Sequence, residues 1–70
     1  MNKILINREP VELFKLLKFE GLVSTGGEAK IVIDQGLVEV NGQIEMRKRR
    51  KMLAGDTFEF QENMYILELE

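Results

Sequence analysis

Asn41-Gly42 separates two β-prone runs, Leu37-Val38-Glu39-Val40 and Gln43-Ile44-Glu45-Met46. Both residues tolerate left-handed backbone, so the pair signals a hairpin and fixes two antiparallel strands in the middle of the chain. Two registers compete. A strict two-residue loop pairs Val40 with Gln43 and puts Ile44 on the face of Glu39. A three-residue loop with a bulge pairs Val40 with Ile44 and Val38 with Met46, all apolar. The second gathers the apolar side chains on one face and is the register expected.

Upstream of the hairpin the periodicity changes. Lys3 to Asn7 alternates as a short strand with Ile4 and Ile6 on one face. Pro10 suits the first position of a helix, where its missing N–H costs nothing. From Val11 to Lys18 the leucines at 13, 16 and 17 form an i, i+3, i+4 stripe, and Gly21 can close that helix in a left-handed cap. Thr25-Gly26-Gly27-Glu28 has the pattern of a capping box, with the Thr25 hydroxyl accepting from the Glu28 amide and the Glu28 carboxylate returning to the Thr25 amide. A second helix then runs from about Gly26 to Gln35 on Ala29, Val32 and Ile33, and Gly36 stops it. The two short helices make a helix–turn–helix-like hairpin.

Downstream, Ala54-Gly55-Asp56 is a turn, and Thr57 to Phe60 and Met64 to Leu69 alternate as strands joined by Gln61-Glu62-Asn63. The last strand is expected beside the first, since otherwise both are bare edges. The fold class is therefore α/β in the α+β sense, two short helices packed on a small, mostly antiparallel sheet. Residues 1–70 are expected to form one domain. At 70 residues, 44% hydrophobic and with a single proline, the chain suits one small packed core.

The chemistry available is narrow. There is no cysteine, hence no disulfide framework or thiolate metal site, and no histidine, so acid–base work falls to carboxylates and lysines. The acidic residues are scattered, with no dyad spacing and no calcium-type loop. No enzyme activity, cofactor or metal is expected. No apolar run reaches the length of a membrane span and the N-terminus is too short for a signal peptide, which points to a cytoplasmic protein. A β-grasp sulfur carrier would need a C-terminal Gly-Gly, and this chain ends Glu68-Leu69-Glu70.

Five consecutive cations, Arg47, Lys48, Arg49, Arg50 and Lys51, stand out against this acidic background. The whole chain has ten cations and twelve acidic residues, a net charge of -2, so half of its positive charge lies in this one run. Such a focused patch attracts polyanions. Three arginines in four positions suit bidentate contact with phosphate, and part of the run is expected to be extended between two strands. Membrane binding lacks the second anchoring signal that an amphipathic helix or lipidation would give. Thr25, Gly26 and Gly27 open a helix whose amides can face an anion, though an ordinary helix start explains them equally well. Lys15, Lys18 and Lys30 are the helical cations and matter only if the fold brings them to the side of the basic run. Phe14, Phe19, Phe58, Phe60 and Tyr65 could stack bases, but four lie in apolar-patterned elements and are assigned to the core, with Tyr65 the one expected to show an exposed tip. Met46 and Met52 flank the run and are assigned to core or gap filling.

Taken together, Leu16-Leu17, Gly21-Leu22, Ser24 to Lys30 with Glu28-Ala29-Lys30, Ile33, Gly36, Val38, Val40-Asn41-Gly42 and Gly55-Asp56 give the order of a known family. The segment Leu13 to Phe60 resembles the RNA-binding domain named after ribosomal small-subunit protein S-four, the alpha-L RNA-binding motif. The segment Glu45 to Lys51 further resembles that of its small stand-alone bacterial members. The resemblance implies binding of structured RNA, ribosomal or transfer RNA. It implies that the helix pair and the following loop form the RNA surface, which here means Ser24, Thr25, Lys30 and Arg47, Lys48, Arg49, Arg50 and Lys51, with Lys15 and Lys18 as lesser members. The binding is expected to be non-catalytic and by a monomer, whether free or on the ribosome. Glu12 and Gly26 stand where many members of the family have arginine, which shifts the expected phosphate contact toward the basic run. A protein-interaction adaptor, its basic loop meeting an acidic protein, is the alternative from another class.

Overall fold

A computed structural model describes residues 1–70. The hairpin at Asn41-Gly42 joins β3 (Val38–Val40) to β4 (Gln43–Ile44). Asn41 and Gly42 have φ of 51° and 85°, the double left-handed turn whose twist matches two flanking strands. The register is that of the two-residue loop, Val40 opposite Gln43 and Glu39 opposite Ile44. The bulged register expected from the apolar pairing does not form. Ile44 and Met46 are exposed, and Glu45 instead lies opposite Val38, its amide donating to the Val38 carbonyl at 3.0 Å. The tight turn is compatible with a buried Glu45 because that carboxylate is fully paired, as described below.

Around this hairpin the chain adds β1 (Asn2–Ile6), β6 (Thr57–Phe60) and β7 (Asn63–Leu69), giving a five-stranded sheet in the order β1-β7-β6-β3-β4. The β1–β7 pair is parallel and brings the two ends of the chain together, with Ile4 opposite Leu67; the other pairs are antiparallel. Asn41 ties two distant turns to each other. Its Oδ1 accepts from the Thr57 amide at 2.9 Å and its Nδ2 donates to Asp56 Oδ1 at 3.1 Å, while Asp56 Oδ2 accepts from the Leu53 amide at 2.8 Å. The Asn-Gly and Gly-Asp pieces of the sequence pattern thus serve the fold.

The helices are α1 (Leu13–Phe19) and α2 (Gly26–Asp34). Helix α1 starts at Leu13, not at Pro10. Val11 and Glu12 instead form strand β2, paired antiparallel with β5 (Lys51–Met52). The Leu13 and Phe14 amides, orphan donors of the first turn, are taken by the carbonyls of Arg50 at 2.9 Å and Lys48 at 3.1 Å. No local signal could disclose that cap, because its acceptors lie more than thirty positions along the chain. The C-terminus of α1 follows expectation. Gly21, at φ 72°, donates to the Lys18 carbonyl and Leu22 to the Leu17 carbonyl, both at 3.0 Å, the paired bonds of a Schellman motif. At α2 the Thr25 hydroxyl accepts from the Glu28 amide at 3.0 Å, but the Glu28 carboxylate reaches the Ser24 amide at 2.7 Å, one residue earlier than a strict capping box.

Leu13, Leu16 and Leu17 of α1 and Ala29 and Ile33 of α2 are buried in one cluster with the inward residues of the sheet, among them Val38, Phe58 and Leu67. Met52 is also fully buried there, as expected for a gap filler. Tyr65 stacks on Phe58 with ring centroids 4.8 Å apart. Because Leu17 is wholly buried, Leu17→Ala is expected to cost about 2–5 kcal/mol. In a domain whose total stability is of order 5–15 kcal/mol, that loss should show as a much lower urea midpoint with an unchanged m-value.

Candidate nucleic-acid interface

The basic run is bent at its centre and extended only at its end. Lys48 and Arg49 form a turn closed by the Arg50 amide donating to the Arg47 carbonyl at 3.2 Å, and only Lys51 lies in a strand. Two carbonyls of this turn cap helix α1, which fixes the loop's backbone to the helix. Arg47, Arg49, Arg50 and Lys51 line one shallow hollow on the surface.

Glu45 holds the loop from below. It is the one buried charged side chain of the molecule, at 8% exposure. Its carboxylate accepts from Arg47 Nε at 2.9 Å, Arg47 Nη2 at 3.0 Å, the Arg47 amide at 3.0 Å and Arg50 Nη1 at 2.9 Å. Burial of a lone carboxylate would be costly; here two guanidinium groups and a backbone donor offset it. The side-chain bonds from Arg47 pull the Glu45 pKa down to about 2 against the opposing effect of burial. Arg47 and Arg50 are therefore partly committed to an internal partner. Arg49, Lys48 and Lys51 are less so. Arg49 meets Glu12 at 3.4 Å and Lys48 meets Asp34 at 3.7 Å, both in exposed pairs of small energetic weight.

The helical cations divide. Lys15, Lys30 and Arg49, from α1, α2 and the basic loop, converge on the ring of Phe14, with distances to its centroid of 5.9, 4.7 and 5.4 Å. Glu12 is the one carboxylate paired within this group, bonded to Lys15 at 3.2 Å and to Arg49, and those bonds, Lys15's first, hold it below the usual carboxylate range. Lys30 has no ion-pair partner, and neither do Lys18 and Lys51. Gly26 borders the same ring, a Cβ there falling 3.7 Å from its edge, which places the start of α2 beside the cluster. Lys18 is not part of it and sits over Phe19, 6.0 Å from that ring's centroid, at the far end of α1. The Thr25 hydroxyl and the Ser24 amide are engaged in capping α2.

Three features of this surface were not assigned from sequence. Glu45 reads as one more surface acid until its register is known. Phe14, assigned to the core, is only half-buried and forms the floor of the cation cluster, and Phe19, likewise assigned to the core, is 68% exposed. The Glu12 position, read as a lost cation, is the counter-ion that steadies Lys15 and Arg49.

Two short helices packed on a mostly antiparallel mixed sheet are the architecture of the alpha-L class of small domain. The chain belongs to the S4 domain family, whose family model matches residues 4–68. It is 52% identical over 50 residues to the "Putative RNA-binding protein YbcJ" of Escherichia coli (strain K12), covering 71% of each chain. It is 33% identical over 60 residues to the "Probable ribosome maturation protein RlbA" of Bacillus subtilis (strain 168), covering 86% of this chain and 84% of that one. The solution structure of E. coli YbcJ, described as revealing an alfaL motif involved in RNA-binding, superposes with a TM-score of 0.72 at 39% identity, over 97% of this chain and 87% of that one.

The depressed Glu45 pKa fixes the sign of a pH effect. Its folded value, about 2, lies below the ordinary 4.5, so its stabilisation is complete above 4.5 and is lost as pH falls from there toward 2. Glu45→Gln should cost about 1–3 kcal/mol at neutral pH by chemical denaturation, and the gap between variant and parent should close across that acidic window.

Proposed function

We propose that this protein binds structured RNA without acting on it chemically, gripping phosphates with the basic loop and the neighbouring ends of the two helices. The observation that carries this reading is the convergence at Phe14 of cations from α1, α2 and the Arg47–Lys51 loop. Three sequence-distant elements deliver positive charge to one place in a chain that is otherwise acidic. That arrangement attracts a polyanion to this side and repels it elsewhere, so the field also orients the encounter. The names borne by YbcJ and RlbA support RNA as the ligand, and RlbA's supports a ribosomal RNA within the broader class of ribosomal and transfer RNA.

In this reading the cations have different tasks. Arg49, Lys48, Lys51, Lys30 and Lys15 present their charges to phosphates. Arg47 and Arg50 shape the loop through Glu45 and offer their remaining N–H groups outward. The amides at Thr25 to Gly27 border the same surface and can add a backbone phosphate contact. Lys18 contributes field only. The chain works in this reading as one domain, in a single copy.

Binding to a ribosomal RNA hairpin should be steeply salt-dependent. Neutralising about four phosphates lowers log affinity by roughly 3–4 units per decade of salt. Replacing Arg47, Arg49 and Arg50 together by glutamine should lower the affinity and reduce that slope, and Arg49→Gln alone should weaken binding more than Arg47→Gln. A slope near zero for the parent protein in a filter-binding or fluorescence titration would refute the mechanism.

A further inference from the structure

We infer that Phe14 is a stacking platform for an unpaired base, so that the RNA this surface takes carries an unpaired nucleotide beside its phosphate-gripped segment. This rests on the RNA reading above and specifies the ligand for the same surface.

Phe14 does not behave as a core phenylalanine. Phe58 and Phe60 are 1% and 4% exposed, whereas Phe14 stays half-open at the rim of the core. The ring is bordered at the start of α2 by Gly26, which has no side chain to cover it; a Cβ there would lie at ordinary contact distance, 3.7 Å, and anything longer would run along the ring. What does lie over it is three long cationic side chains from three elements. Glu12 pairs with Lys15 and Arg49, but for Lys30 the ring's quadrupole is a weaker partner than a full anion would be. Lys30, nearest at 4.7 Å, has no carboxylate to hold it elsewhere.

An RNA backbone arriving at this surface offers those cations phosphates. As they turn to the phosphates, the ring loses its cover and a flat apolar face opens in the middle of the charged contacts. A base fills such a face well, since its own π-surface is desolvated by stacking. Bases inside a paired helix are already stacked and unavailable, which leaves an extruded nucleotide from a bulge, loop or end. Phosphate-binding cations encircling an aromatic ring are what that ligand requires, and a uniform duplex would leave the ring unused.

The test compares two short RNA hairpins, identical except that one has a single unpaired adenine in its stem, or 2-aminopurine at that position for fluorescence. The parent protein should prefer the bulged hairpin and perturb the 2-aminopurine emission. Phe14→Leu should lose roughly 10- to 100-fold on the bulged RNA, the range of one base–aromatic stack. On the paired one its loss should be several-fold smaller, with the salt slope unchanged. Phe14→Tyr should restore the preference, and Phe14→Trp should strengthen it and carries the test should the leucine variant fail to fold. Equal losses on both RNAs would show that Phe14 only positions the cations, and no preference by the parent would likewise overturn the inference. If the parent binds neither hairpin, it is the RNA reading itself that fails.

Discussion

The interaction on which this surface depends is the buried carboxylate of Glu45 beneath Arg47 and Arg50. Buried ions add little net stability when their partners are merely adequate, and they become costly when one partner is lost. Here the partners are two guanidinium groups and an amide, so the carboxylate is satisfied and the loop above it has one geometry. Its consequences run outward. The held loop turns at Lys48 and Arg49, the carbonyls of Lys48 and Arg50 reach the first amides of α1, and α1 therefore begins at Leu13. That start sets Phe14 at the rim of the core and Arg49 above it.

The same chain of contacts explains how a strongly cationic loop is tolerated in so small a domain. Five adjacent positive side chains would splay a free loop by mutual repulsion. Carboxylates restrain four of them: Glu45 holds Arg47 and Arg50, Glu12 holds Arg49, and Asp34 holds Lys48. Only the Glu45 contacts are buried enough to carry substantial energy; the others are exposed and salt-sensitive. The loop is thus rigid at its base and adjustable at its rim, a combination suited to a ligand whose charges are regularly spaced but whose shape varies.

Much of the fold was legible because its signals are local. The leucine stripe of α1, the glycine that ends it, the Thr25 cap and the alternation of β1, β6 and β7 each follow from backbone sterics and from which face must be buried. The hairpin was legible as a hairpin but not in its register. Apolar pairing favoured a bulge, and the opposing consideration, a glutamate made tolerable by arginines that follow it, is a tertiary one. Pro10 pointed to a helix start, but strand β2 occupies that place because its partner β5 comes from the far side of the basic run. Phe14 and Phe19 carry the same pattern signal as core residues, and no periodicity distinguishes a phenylalanine at the centre of a cluster from one at its edge.

The sequence by itself determined the element types, the pairing of the terminal strands, the two-helix hairpin and the presence of a concentrated positive patch. These depend on residue chemistry and short-range spacing, which any reading of the chain can recover. Only the tertiary structure decided which cations meet. Lys15, Lys30 and Arg49 come together, Lys18 stands apart, and Arg47 and Arg50 turn toward a buried acid. Those choices depend on the packing angle of two helices and on one hairpin register. A shift of a single residue in that register would move Glu45 to the opposite face of the sheet and take the anchor from beneath the loop.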